Sequence, residues 1–281
     1  MFGFLNVYKP AGITSHDVVA RLRRVTKIKQ IGHTGTLDPF AEGVLPICIG
    51  KATRLIEYLN DDKAYVGTVK LGSSTTTYDT EGEGVNFSDK KVDLNEIETA
   101  LEKFRGEIEQ LPPVYSAIKV NGKKLYEYAR EGKEVKIEPR RVNISKLEVV
   151  DFEYPHLSLR IECSKGTYIR SIANDLGEEL GTYGHLIKLV RVKAGDFEIN
   201  EAIKLDDLDT LEAVQKSLIY PLENLHFPKY ELNEKEKAII SNGGSIKADV
   251  ENSLVCLTFQ GVLCAVARAT EGVLKCEKVF L

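Results

Sequence analysis

Residues 157–163, LSLRIEC, alternate between apolar and polar positions, so that Leu157, Leu159, Ile161 and Cys163 share one face. A period of two predicts a strand with one buried side. The stretch 64–72, AYVGTVKLG, is strand-like as well. Elsewhere the period lengthens to that of a helix. Within 16–28, Val18, Leu22, Val25 and Ile28 recur at helical spacing, Thr14 or Ser15 can cap the start, and Arg21, Arg23, Arg24 and Lys27 take the other face. KATRLIEYL (51–59) predicts a second helix. Residues 93–106 predict a third, in which Asp93 caps, Glu96 completes the capping box and Gly106 ends the run. The fourth covers 167–180, with Thr167 as its cap and Ile169, Ile172, Leu176 and Leu180 as its buried stripe. Strands and helices mix without a regular βαβ alternation, so the expected class is α+β. Beyond residue 228 the pattern changes. One short helix, NEKEKAII, and β-like runs at 253–259, 262–269 and 273–280 predict a small separate β domain, dividing the chain into 1–227 and 228–281.

The length of 281 residues suits such a division into a large and a small unit. A hydrophobic content of 43% supports a packed core, and 28% charged residues with a net charge of -4 exclude a disordered polyelectrolyte. Global acidity argues weakly against nucleic acid, but the charge is uneven. From Lys119 to Lys146 stand nine basic and four acidic residues, with Tyr115, Tyr126 and Tyr128 in or beside the run. Such a segment is either a solvated surface or a lobe that contacts phosphates. The five cysteines include no CxxC pair and no zinc spacing, which predicts reduced thiols in a cytoplasmic protein. The start, MFGFLNVYKP, lacks the features of a secretory leader, and no run of about 18 apolar residues predicts a membrane span.

Chemistry concentrates in 32–46, GHTGTLDPFAEGVLP. Its glycines and prolines break helix and strand alike, so a loop is expected, with His33 and Asp38 on it. Asp38 could merely close an Asx turn there. No phosphate loop, nucleophile elbow or zinc-protease motif occurs. The other candidate is Arg170, at the start of the predicted 167–180 helix.

GHTGTLDPFAEGVLPICIGKATR resembles the signature of the TruB family of bacterial tRNA pseudouridine synthases. Further motifs follow in the family's order: NVYKPAGITSHDVV before it, then DKAYVGTVKLG, LPPVYSAIKVNGKKLYEYAREG, CSKGTYIRSIANDLGEELG and HLIKLVRVKAGDF. The resemblance covers about residues 3–200 closely and continues more loosely into a C-terminal segment that looks like a PUA domain. It implies the pseudouridine synthase fold, with a mixed, mostly antiparallel central sheet flanked by helices, an RNA-contacting insertion around 110–141, and a small C-terminal PUA-like β barrel.

The resemblance also implies roles. Asp38 matches the family's essential aspartate, and His33 the histidine that enters the RNA loop. Tyr65 matches the tyrosine packed on the target base, and Tyr168 an active-site tyrosine. Arg170 matches the arginine paired with the aspartate, and Leu189 a leucine of the base pocket. Lys9 and Pro10 match the N-terminal Lys-Pro pair. Lys123, Lys124, Arg140 and Arg141 are expected on the RNA backbone. The implied activity is isomerisation of uridine 55 in the T-loop of tRNA, on a T-arm stem-loop, by a monomer that needs no protein partner. That reaction moves no electrons and releases no group, so no metal, nucleotide or redox cofactor is expected. It does need a flipped base and one carboxylate beside the sugar, acting as nucleophile at C1′ or as base at C2′. A guanidinium beside that carboxylate favours its ionised form against burial. A tRNA-folding protein with secondary isomerase activity is the competing class. A glycosidase would need a second carboxylate in the cleft, and Glu42 is the nearest in sequence.

Overall fold

The alternating segment 157–163 lies inside a ten-stranded mixed sheet in the computed structural model, which describes residues 1–281. The strands are, in chain order, β1 (Gly3–Lys9), β2 (Ile31–His33), β3 (Glu42–Ile49), β4 (Lys63–Leu71), β5 (Ser73–Thr75), β6 (Gly84–Phe87), β7 (Gly106–Gln110), β8 (Lys119–Val120), β9 (Lys123–Lys124), β10 (Arg140–Glu153), β11 (His156–Cys163), β12 (Gly184–Ala194), β13 (Phe197–Glu198) and β14 (Ile203–Lys204). The path across the main sheet is β14–β1–β3–β12–β4–β11–β10–β7, with β2 on β3 and β13 on β12. Pairing is antiparallel except for β1 with β14 and β3 with β12. The remaining strands form two small hairpins, β5–β6 and β8–β9.

Helices cover the sheet where the apolar stripes direct. Helix α1 (Ser15–Thr26) is capped by Thr14, with Asp17 closing the capping box, and buries Val18, Val19 and Leu22 against Leu5, Val7, Leu45 and Ile47. Helix α2 (Leu94–Leu101) has the Asp93–Glu96 box and continues as a 3₁₀ turn to Phe104. After β9 lies the short α3 (Leu125–Arg130). Helix α4 (Ile169–Glu179) packs mainly over β12, and its Ile169, Ile172 and Leu176 share an apolar cluster with Leu157, Leu159 and Ile161 of β11. Each such side chain, fully buried, stabilises by roughly 1.5–3 kcal/mol.

Two local expectations change. Residues 50–58 form a 3₁₀ helix rather than an α-helix, and the segment opens on a left-handed Gly50. The cap position of α4 is Tyr168, not Thr167. The Thr167 hydroxyl is spent on the preceding turn, donating to the Ser164 carbonyl at 2.9 Å.

Residues 229–279 form a five-stranded sheet, in the order Lys229–Glu231, Leu254–Phe259, Val262–Thr270, Val273–Val279, Ser245–Lys247. It has two free edges, so the barrel is an open one. Cys256, Leu263, Val266 and Phe280 share an apolar cluster with Phe4, Val44, Cys48 and Leu55 of the main unit. Lys51 Nζ ties the chain end, donating to the Phe280 and Leu281 carbonyls at 2.9 and 2.6 Å. No helix is long and apolar enough to cross a membrane.

Candidate active site

The segment between β2 and β3 holds Asp38, and buried cations hold the segment. Lys9, fully buried at the end of β1, donates to the carbonyls of Pro10, Ile13 and Pro39 at 2.9, 2.7 and 3.2 Å. Burial brings its pKa down to about 8, and neighbouring Arg191 adds to the fall. Arg191, on β12, donates to the carbonyls of Val44 (2.7 Å), Thr36 (3.3 Å) and Gly35 (3.1 Å). The Ser15 hydroxyl, at the start of α1, accepts from Leu37 N at 2.8 Å and donates to Leu37 O at 3.1 Å. At Gly43, with φ +106°, a β-carbon would lie 2.3 Å from the Arg191 carbonyl, so only glycine lets β3 approach β12 there. The loop is irregular in sequence and fixed in space.

Asp38 meets Arg170 from the first turn of α4. Nε of Arg170 lies 2.9 Å from Asp38 Oδ2 as a close ion contact without hydrogen-bond alignment, and Nη2 donates to Oδ1 at 3.3 Å. The other edge of the guanidinium faces Asp79, with Nη1 3.2 Å from Oδ2. Two carbonyls complete the set, Thr77 O and Tyr115 O, both at 3.1 Å. The side chains of Arg170 and Asp79 are 7% and 2% exposed, whereas that of Asp38 keeps 34%. Of the two carboxylates, Asp38 is therefore the one a substrate can reach. Burial pushes the Asp38 carboxyl above the usual carboxylate range; Arg170 opposes that push and the charge of Asp79 adds to it. Arg170 favours the ionised form, as expected, but offsets only part of the effect of burial.

Tyr65 and Leu189 stand on the adjacent strands β4 and β12, both nearly buried. Leu189 is opposite Gly67, where a β-carbon would come within 3.5 Å of its Cδ1. Burial raises the Tyr65 phenol, which lies near Arg191 and within the field of Asp38. Tyr168, the cap residue of α4, is raised by burial and lies near Ser116 and Arg140. His33 ends β2. Burial and the charge of Arg191 lower its pKa, and its buried Nδ1 has no partner. The structure thus brings Asp38, Arg170, Tyr65 and Tyr168 into one electrostatic neighbourhood.

The basic candidates divide. Lys123 pairs with Glu131 and lies over the Tyr128 ring, and Lys124 lies over the Tyr126 ring. Arg140 and Arg141 are exposed at the start of β10 and form no ion pair. On α1, Arg21 pairs with Asp206 at 2.7 Å and Arg23 donates to the Ile31 carbonyl.

Sequence reasoning missed Asp79, Gln110 and Arg191. The segment TTTYDTEGEG carries a signal for the first: its aspartate precedes glycines in a loop where Tyr78 adopts φ +64°. Nothing local marks the other two, whose partners lie far away in the chain.

The fold, a mixed sheet extended by a small C-terminal sheet, matches solved structures over the whole chain. One is an H/ACA ribonucleoprotein bound to a substrate RNA containing 2′-deoxyuridine, at TM-score 0.74 and 26% identity over 100% of this chain and 85% of that one. Another is a Cbf5–Nop10–Gar1 complex, at TM-score 0.74 and 27% identity with the same coverage. The fold is that of the pseudouridine synthases, which are isomerases. The family model "TruB family pseudouridylate synthase (N terminal domain)" matches residues 23–169, and "tRNA pseudouridylate synthase B C-terminal domain" matches 170–225. A relative from Clostridium novyi, "tRNA pseudouridine synthase B", is 46% identical over 86% of this chain and 81% of its own length. One of the same name from Streptococcus mutans is 42% identical over 99% of both. The chain belongs to the TruB family of pseudouridylate synthases.

Proposed function

We propose that this protein converts uridine to pseudouridine at position 55 in the T-loop of tRNA, acting in the cytoplasm as a monomer on the T-arm stem-loop. The relatives' shared name supports tRNA as the substrate. The observation that carries the chemistry is the Asp38–Arg170 pair, one partner locked and the other open to the cleft. The target base leaves its stack and enters beside Tyr65 and Leu189, an apolar wall that can hold uracil once detached. The C1′–N1 bond breaks and a C1′–C5 bond forms, while C5 loses a proton and N1 gains one. Asp38 serves as nucleophile at C1′ or as base at C2′, and both routes require the ionised carboxylate. Burial works against that form; Arg170 favours it, and Asp79 braces the arginine from its far edge. His33 works on the RNA loop, and Tyr168 forms a wall of the cleft. Arg140 and Arg141, with Lys123 and Lys124, take phosphates.

A T-arm stem-loop transcript incubated with purified protein and with Asp38→Asn tests this. Chemical mapping is expected to find pseudouridine at the T-loop target with the wild type alone. Pseudouridine at another position, or none, overturns the assignment; formation by the variant removes Asp38 from its role.

A further inference from the structure

We infer that Gln110 is a positioning residue for the reaction, setting the cleft wall Tyr168 through its backbone. Gln110 is the last residue of β7, at the root of the insertion, and only 2% exposed. Its carboxamide grips one residue from both sides. Oε1 accepts from Tyr168 N at 2.8 Å, and Nε2 donates to Tyr168 O at 2.9 Å. The partners themselves fix which way the amide points, since an N–H must meet the oxygen and a carbonyl the NH₂.

The grip answers a specific deficit. Tyr168 caps α4 with extended backbone (φ −100°, ψ 109°), and no side chain caps the helix. Its N–H would be an orphan at a buried helix start. Its carbonyl already accepts the first helical bond, from Ile172 N at 3.2 Å, and Gln110 takes the remaining lone pair. Gln110 thus acts as a length of strand edge for one residue. That residue carries the cleft aromatic and stands two positions before Arg170. Further ties run from the same root: Ser171 Oγ donates to Leu111 O at 2.9 Å, and Arg170 donates to Tyr115 O. The buried Ser116 hydroxyl, with no other partner, stands beside the Tyr168 phenol.

Only glutamine meets both demands. Glutamate has the same shape but cannot donate when ionised, and asparagine has both functions one methylene short. Either change frees Tyr168 to turn about its backbone.

The inference rests on the functional reading above, and the test separates the two. Single-turnover rates on the T-arm stem-loop are measured for wild type, Gln110→Glu, Tyr168→Leu and the double variant, with RNA affinity and melting temperature alongside. A wild type that forms no pseudouridine fails the functional reading. Given an active wild type, Gln110→Glu is expected to slow the chemical step ~10- to 100-fold, the scale of a misplaced active-site group, with affinity little changed. In the Tyr168→Leu background the same substitution is expected to have almost no further effect, because the group it positions is gone. A merely structural role would give equal penalties in both backgrounds, and that result overturns the inference, as does a wild-type rate for Gln110→Glu. Gln110→Asn in the same cycle repeats the test should the glutamate variant not fold; failure of both to fold assigns Gln110 to stability and overturns it too.

Discussion

Replacing Arg170 by lysine conserves the charge and removes the fork. The guanidinium spans two carboxylates and two carbonyls: Asp38 at 2.9 and 3.3 Å, Asp79 at 3.2 Å, and the Thr77 and Tyr115 carbonyls at 3.1 Å. An ammonium offers three donors from one atom and cannot span that set. At least one acceptor loses its partner. Each buried acceptor left unsatisfied costs about 1–3 kcal/mol, and outright loss of a buried ion pair about 3–5 kcal/mol. Solvent screens little of this, since the Arg170 and Asp79 side chains are 7% and 2% exposed. We expect a loss of about 2–5 kcal/mol, against roughly 0.5 kcal/mol or less for a surface Arg-to-Lys change. At about 2–4 °C per kcal/mol for a chain of this size, the melting temperature should fall by about 4–20 °C. Asp38 also loses its two-point hold, and a carboxylate displaced by about 1 Å costs on the order of 10²-fold in rate. Thermal melts and single-turnover tritium release from 5-labelled uridine RNA measure the two effects independently. A variant within about twofold of the wild-type rate and within about 1 °C in melting would refute the argument that the fork, rather than the charge, holds Asp38.

Asp38→Asn should abolish isomerisation, with tRNA affinity retained by filter binding. Because the folded Asp38 pKa is raised, its contribution to stability is full below the unfolded value and lost as pH rises through the folded one. At neutral pH the asparagine variant should therefore melt no lower than wild type, while Arg170 keeps Asp79 as its partner; a clear fall contradicts the sign. The same shift puts the acid limb of the rate profile above the unperturbed value of about 3.9, measurable as kcat/KM against pH, and a limb below it counts against Asp38 as the titrating group. Asp79→Asn should slow the chemical step more than it weakens binding, since it frees the far edge of Arg170; an unaltered single-turnover rate would show that the brace is dispensable. Arg140→Ala with Arg141→Ala should lower the log–log salt slope of tRNA binding by about 1–2, at ~0.7–0.9 per phosphate contact, whereas His33→Ala should reduce turnover and leave the slope intact.

Amino-acid pattern alone carried the elements whose cause is local. Alternation at Leu157, Leu159 and Ile161 became β11, and the Thr14–Asp17 and Asp93–Glu96 boxes cap α1 and α2. These features depend on neighbours within about four residues, so the sequence displays them directly. Motif resemblance pointed to Asp38 and Arg170 as a pair, 132 positions apart, which periodicity could not join. Local pattern failed where a distant group overrides a local preference. Thr167 is a better cap in isolation, yet Tyr168 takes that place because Gln110, 58 residues away, satisfies its backbone.

Tertiary structure decided the electrostatics. Whether Asp38 is raised or lowered depends on burial and on a third charge, Asp79, and neither can be read from spacing. Arg191 shows the same division: in sequence it is one basic residue on a strand, and in the fold it is wholly buried and bolts Gly35 and Thr36 of the Asp38 loop, and Val44 beyond it. Lys123, Lys124, Arg140 and Arg141 look alike in composition, but folding places Glu131 against Lys123 and leaves the other three without an ion pair. Secondary structure follows from short-range sterics and hydrogen bonds that each segment carries with it. The state of a charge follows from everything that surrounds it, and chain folding alone brings those surroundings together.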